Sequence, residues 1–185
     1  MIDTTAPAST VSYSIVGSRE SGGSLVQRLL GRHRGVGPGR VIHVIRDGRD
    51  AAVAAWDALV EAKGSVPFSF EHYVESFATH WVSFIENVRE AAEGHDGRYL
   101  ELRYEALVGD PVGEIIRLLD FLRIVTMPHT VRECMERVNF AACTVGDWRH
   151  RFDAEAAFRF DASAGYLLQE LGYAEPTSKS LRRAA

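Results

Sequence analysis

The sequence predicts an α/β fold in which a short parallel sheet is flanked by helices, and three observations carry that reading. β-rich segments and helix-period segments alternate along the chain, the pattern of a layered α/β domain. Two of the β-rich segments run straight through glycine-bearing turns into helical patterns. Arg40-Val-Ile-His-Val-Ile45 is a nearly continuous apolar run, as expected of a strand covered on both faces. With 185 residues, 46% of them hydrophobic, the chain can bury one substantial core. It therefore reads as a single domain over 1–185, with flexible tails at about 1–9 and 176–185.

The elements follow in order. Val11 to Val16 is β-rich and ends at the glycine loop Gly17 to Ser24, after which Leu25, Val26, Leu29 and Leu30 recur at helical spacing. Gly31 to Gly39 breaks that pattern, and the strand Arg40–Ile45 completes a βαβ unit. From Asp50 the pattern is helical until Gly64 and Pro67. A longer helix carries Phe70, Tyr73, Val74, Phe77, Trp81, Phe84, Ile85, Val88 and Ala92, a wide aromatic stripe that reads as core. Arg98 to Tyr104 alternates like a strand, and Asp110-Pro111 opens a helix with a capping carboxylate and a first-turn proline. Val131, Cys134, Met135 and Val138 mark another helix, and the last one runs from Asp161 through Leu167, Leu168 and Leu171 to Gly172. There are no internal repeats.

Composition removes several classes of function. A net charge of −4 argues against a general nucleic-acid binder, so any anion site is local. Cys134 and Cys143 are the only cysteines, and no Cys/His spacing suggests zinc, so both read as reduced core thiols. The first ten residues lack an apolar signal-like run, and no stretch approaches the roughly 20 apolar residues of a membrane span. The expectation is a soluble cytoplasmic protein without a membrane partner.

Two turns can carry chemistry. Arg46-Asp-Gly-Arg-Asp50 stands where a buried strand hands over to a helix, the crevice position at which α/β sheets bind ligands. Free N–H groups at the helix start favour an anion, Arg46 and Arg49 add full charges, and Gly48 allows close backbone approach. The competing reading is a structural turn in which Asp47 or Asp50 caps the helix and the arginines pair with carboxylates. The earlier loop, Gly17 to Ser24, matches G-x-x-x-x-G-x-S, a frame that cradles phosphate with backbone amides, but it has Gly23 where a lysine normally stands. Arg19 partly replaces that charge, and Glu20 beside it opposes an anion. Here the competing reading is a glycine-rich turn with no ligand.

Val41-Ile-His-Val-Ile-Arg-Asp-Gly-Arg-Asp50, followed by Trp56, resembles the segment with which sulfotransferases that use 3′-phosphoadenosine 5′-phosphosulfate grip the cofactor's 3′-phosphate. Gly17 to Leu30 is similar to that family's 5′-phosphosulfate loop and following helix. Arg98 to Pro111 is similar to a family strand and helix start, with Tyr104 where a cofactor-contacting tyrosine often lies. Val145 to Phe152 and Tyr166 to Tyr173 resemble the C-terminal Gly-Asp-Trp element and closing helix. The resemblance implies a three-layer P-loop-like fold and binding of 3′-phosphoadenosine 5′-phosphosulfate (PAPS) through Arg19, Ser21, Gly22, Gly23, Ser24, Arg46, Gly48, Arg49 and Tyr104. The implied reaction moves a sulfuryl group to a hydroxyl or amine of a small-molecule acceptor, without a metal and without nucleic acid.

Departures from the family pattern fall on the same segments. Glu20 occupies a basic position, Ala54 replaces a phosphate-binding serine, and Ala141-Ala-Cys143 replaces a basic Arg-Lys-Gly. Arg149 and Arg151 are the candidates to restore that charge. The connection from Gly31 to Arg40 lacks several dozen family residues, including a strand and the usual catalytic base. No catalytic residue is assigned. His33, His72 and His80 are candidates for a base by chemistry alone. Two alternatives stand beside the enzyme: a non-catalytic nucleotide- or partner-binding member of the same fold, and a P-loop nucleotide kinase or ATPase.

Overall fold

The computed structural model describes residues 12–31 and 39–173, so the expected tails and His33 lie outside the described residues. In chain order the elements are β1 (Tyr13–Val16), α1 (Gly23–Leu30), β2 (Arg40–Ile45), α2 (Gly48–Lys63), α3 (Phe70–Ala92) and β3 (Tyr99–Arg103). They continue with α4 (Tyr104–Gly109), α5 (Pro111–Phe121), α6 (Pro128–Glu136), a 3₁₀ turn (Phe140–Ala142), α7 (Trp148–Arg151) and α8 (Ala154–Glu170). They form two compact units, each assembled from separate stretches of chain. Of the described residues, one unit holds those up to Arg46 and Val88–Thr144, the other Asp47–Asn87 and those from Val145 to Tyr173.

The first unit contains a three-stranded parallel sheet in the order β1-β2-β3, with Ile15 beside Ile42, Ile42 beside Leu100 and Val44 beside Leu102. Strand alternation sends Ile42 and Val44 into a core with Leu25, Leu29, Leu102, Leu107, Ile115 and Leu118. Arg137 donates to the Leu29 and Leu30 carbonyls at the end of α1 and so satisfies acceptors that the helix itself leaves unpaired. The β-pattern read through Tyr104 stops one residue short: Tyr104 opens α4, a short helix that the sequence pattern does not announce.

His43, between Ile42 and Val44, is fully buried and lies 2.7 Å from the Tyr99 hydroxyl. That hydroxyl donates to Glu101 at 2.8 Å, and Arg89 holds the same carboxylate at 2.7 and 3.1 Å. Because the tyrosine proton goes to the carboxylate, His43 donates from Nδ1, which sets its tautomer. Burial pushes His43 down to about 4. Burial also raises the Tyr99 phenol, with the Glu101 hydrogen bond acting in the same direction. Burial on its own would raise Glu101 as well, but its bonds to Arg89 and Tyr99 outweigh that and hold it below the usual carboxylate range.

In the second unit α2 begins at Gly48, two residues before the start read from the sequence, and Asp47 caps it by accepting the Arg49 N–H. The aromatic stripe of α3 is core, as expected: Val74, Phe77, Ala78, Trp81 and Ile85 are buried. Trp81 and Phe160 pack with ring centroids 6.0 Å apart. Helix α8 starts at Ala154, seven residues before the expected Asp161, with Asp153 accepting from the Ala156 N–H. Its early buried side uses Ala156 and Ala164 around Phe160, and small residues give little periodic signal. Cys134 is buried and Cys143 half-buried, and both are free thiols. No helix of the described residues is long and apolar enough to cross a membrane.

Candidate functional site

In the first unit, a cleft of about 690 Å³ is lined by Gly17 to Ser24 together with Tyr13, Ile15, Gln27 and Gly31. Five of the nine expected cofactor residues, Arg19, Ser21, Gly22, Gly23 and Ser24, therefore stand in one cavity. The backbone makes this loop. The Ser21 N–H donates to the Ser18 carbonyl at 3.1 Å, Glu20 adopts φ 56°, and Gly22 adopts φ 100° as the residue before α1. A side chain at Gly22 would be strained in that conformation, and its Cβ would also lie 2.6 Å from the Tyr104 ring. At Gly17 a Cβ would stand 2.1 Å from the Ser21 hydroxyl.

Two features leave this loop with unused donors. Among the described residues no side chain caps α1, and its first turn carries no acidic residue; the Leu25 N–H donates to the Gly22 carbonyl at 3.0 Å, and the amides of Gly23 and Ser24 before it have no intrahelical acceptor. The Ser21 hydroxyl is buried without a hydrogen-bond partner among the described residues, with the residue 2% exposed. A buried hydroxyl without a partner costs free energy that a ligand acceptor would recover. The donor set at a helix N-terminus fits an anionic group such as a phosphosulfate.

Arg46 and Tyr104 join this loop from within the same unit. The Arg46 guanidinium lies 4.5 Å from the centroid of the Tyr104 ring and donates to the carbonyls of Glu20 at 3.1 Å and Thr144 at 3.2 Å. The Tyr104 ring in turn faces Gly22. Burial pushes the Tyr104 phenol up to about 12 against the opposing charge of Arg46, with the Cys143 thiol acting in the same direction as burial. Three distant segments therefore meet: the glycine loop, the end of β2 and the start of α4. The contacts through the Glu20 and Thr144 carbonyls were not legible in the sequence, since backbone acceptors carry no residue signature.

Gly48 and Arg49 have different surroundings, inside the second unit. Arg49 donates to both oxygens of Asp47 at 3.0 and 2.7 Å and to the Tyr173 carbonyl at 2.7 Å, and it stacks 3.7 Å from the Trp148 ring centroid. A Cβ on Gly48 would lie 2.7 Å from both Phe160 and Trp81, so packing against those rings accounts for this glycine without an approaching ligand. Asp50 accepts from the Gly146 N–H at 2.6 Å and the Trp148 N–H at 2.9 Å and so folds the Gly-Asp-Trp element. This turn takes the structural form that the sequence left open, with Asp47 as the cap and Arg49 as its ion-pair partner.

The remaining candidates stay apart from such constellations. Arg151 forms an exposed ion pair with Asp57 at 2.9 Å, and Arg149 lies over Trp148. His80 is exposed and donates from Nδ1 to the Ser76 carbonyl at 2.7 Å, while His72 stands beside the Phe68 ring. Among the described residues, neither histidine has an acid or nucleophile partner that would mark it as a base.

Residues 39–128 match the model of the sulfotransferase family. No curated protein matches the chain significantly. Among solved structures, mouse sulfotransferase SULT7A1 complexed with PAP aligns over 97% of this chain and 90% of its own, with a TM-score of 0.68 at 15% identity. Retinol dehydratase in complex with androsterone and the inactive cofactor PAP aligns with a TM-score of 0.56 at 22% identity. Retinol dehydratase with retinol and PAP does so with the same score at 23% identity. The chain covers 70% of itself in both cases and spans about half of the retinol dehydratase chains. These likenesses establish the α/β fold with its short parallel sheet.

Proposed function

We propose that the chain, whose residues 39–128 match the sulfotransferase family model and whose fold is similar to that of a mouse sulfotransferase, binds 3′-phosphoadenosine 5′-phosphosulfate in the glycine-loop cleft and transfers its sulfuryl group to a hydroxyl or amine. The observation that carries this reading is the buried, unpartnered Ser21 hydroxyl beside an uncapped helix N-terminus. The cofactor, when bound, supplies the sulfuryl group as a reactive anhydride of sulfate and phosphate.

The residues of the chain then have distinct tasks. The amides at the start of α1 and the Ser21 hydroxyl hold negative charge at the cleft floor. Preorganised donors of this kind stabilise charge that shifts during in-line transfer without reorganising at that moment. Arg46 brings a full positive charge to the Glu20 carbonyl on the loop, and its stacking on Tyr104 limits the freedom of both groups. Arg19 lines the cleft where its guanidinium can reach an anion. The acceptor is a small molecule of the hydroxyl or amine class, and no residue is assigned as its base.

A second reading, a nucleotide-binding member without catalysis, is favoured by Glu20 at a basic position and by Ala54 and Ala141 at positions where the family has polar or basic residues. Calorimetric titration with the desulfated nucleotide tests binding under both readings. Arg46→Ala should weaken it by about tenfold to a hundredfold, the effect of losing a charge-assisted hydrogen bond. Unchanged heats in that variant would remove Arg46 from the site. Transfer of labelled sulfate from the cofactor to a panel of phenols, alcohols and amines then separates the two readings, since turnover of any acceptor excludes the second.

A further inference from the structure

We infer that the N-terminal edge of the sheet carries a second anion site, formed by Arg40, Arg98 and Arg123, that takes a small tetrahedral oxyanion such as inorganic phosphate or sulfate. Arg40 opens β2 and Arg46 follows its last residue, so strand rise alone places the two about 20 Å apart. The cluster is therefore distinct from the glycine-loop arginine.

The geometry begins with Arg40, which is 6% exposed. Its Nη1 donates to the carbonyls of Gly97 and Phe121, and its guanidinium lies 5.2 Å from the centroid of the Phe121 ring. Its Nε is buried with no hydrogen-bond partner among the described residues. The two carbonyls that hold it belong to the segments carrying the other arginines: Gly97 precedes Arg98, and Phe121 lies two residues before Arg123. Both segments are turns of defined shape. The Arg98 N–H donates to the His95 carbonyl, and Arg123 adopts φ 55° with its N–H on the Asp120 carbonyl.

The side chains of Arg98 and Arg123 are exposed and have no hydrogen-bond or ion-pair partner among the described residues. The acidic residues nearest them in sequence, Asp96 and Asp120, pair with none of the three arginines, and Asp120 instead accepts from the Thr126 hydroxyl at 3.0 Å. Burial lowers the pKa of Arg40, and the charges of Arg123 and Arg98 lower it further. Three like charges from three segments, one of them desolvated and still holding an unused donor, form an arrangement that an anion relieves. Guanidinium groups suit the oxygens of a tetrahedral oxyanion, which accept their parallel N–H bonds. The small size of the cluster and the chain's net charge of −4 favour a compact ion over a polyanion.

The test is a titration of the full chain with sodium phosphate, and separately with sodium sulfate, followed by backbone amide shifts against sodium chloride at equal ionic strength. Saturable shifts are expected at Gly97, Arg98, Phe121 and Arg123 with the oxyanions and not with chloride. The Arg98→Ala/Arg123→Ala double variant, which alters only exposed side chains, should weaken those shifts by about tenfold or more and leave any response at Gly17 to Ser24 unchanged. Shifts reproduced by chloride, confined to Gly17 to Ser24, or undiminished in the double variant would overturn the assignment.

Discussion

Two turns of this chain share one local plan, a strand that passes through glycine into a helix, and they end in opposite electrostatic states. The turn from Asp47 to Asp50 is saturated: its cap, its arginine and its second carboxylate all have partners at hydrogen-bond distance. Among the described residues, the loop from Gly17 to Ser24 has no side-chain cap and a buried hydroxyl without a partner. The saturated turn stabilises, whereas the unsaturated one retains capacity for a ligand. Arg46 connects the two ideas, since it stands next to the saturated turn in sequence while its side chain bonds to the unsaturated loop.

The sharpest way to break this comparison is Arg49→Ala. It removes the guanidinium that pairs with the buried Asp47 carboxylate, which keeps only weaker neutral donors such as the backbone N–H at position 49, and should cost about 3–5 kcal/mol, read from the urea midpoint. Nucleotide affinity of the folded fraction should be unchanged; a loss of affinity at full stability would return Arg49 to the binding site. Acid gives the next largest effect. Because the folded pKa of His43 is about 4 and the unfolded value 6.5, the unfolded chain binds the extra proton between those values. Stability should therefore be lost as pH falls from about 6.5 towards 4, by up to about 3 kcal/mol, and His43→Gln should flatten that slope. Ligand affinity measured per folded molecule should not follow it.

Gly48→Ala should cost about 1–3 kcal/mol through overpacking against Trp81 and Phe160, with little effect on affinity. If this variant instead keeps its stability and loses nucleotide binding, Gly48 serves a ligand. The smallest change in stability is expected for Ser21→Ala, which removes a buried hydroxyl that bonds to none of the described residues. Its melting temperature should stay the same or rise slightly, while affinity for the desulfated nucleotide should fall by about tenfold. A marked loss of stability in that variant would mean that Ser21 is already satisfied and the loop is not open.

Parts of this arrangement are legible without coordinates. The apolar run Val41 to Ile45 identifies the central strand, and the spacing of Val74, Phe77, Trp81 and Ile85 identifies the buried side of α3. Asp47 and Asp110 are readable as caps because short carboxylates before a helical pattern have little else to do. The start of α8 is not readable, since alanines bury a face without marking one. Nor is the short α4, whose residues Tyr104 and Leu107 fit a strand end equally well until the core claims them.

The sequence by itself determined the layered α/β class, the two glycine turns, the sulfotransferase resemblance and the residue types available for holding an anion. The class, the turns and the residue types follow from periodicity, capping and composition, which act over a few neighbouring residues, whereas the resemblance rests on four motif segments in the family's order. Only the tertiary structure decided that Arg46 turns to Tyr104 and the Glu20 carbonyl, that Arg49 pairs with Asp47, and that the Ser21 hydroxyl has no partner among the described residues. Whether a donor is free or satisfied depends on acceptors contributed by segments distant in sequence, often backbone carbonyls, and a linear pattern of residue types does not encode which of them arrive.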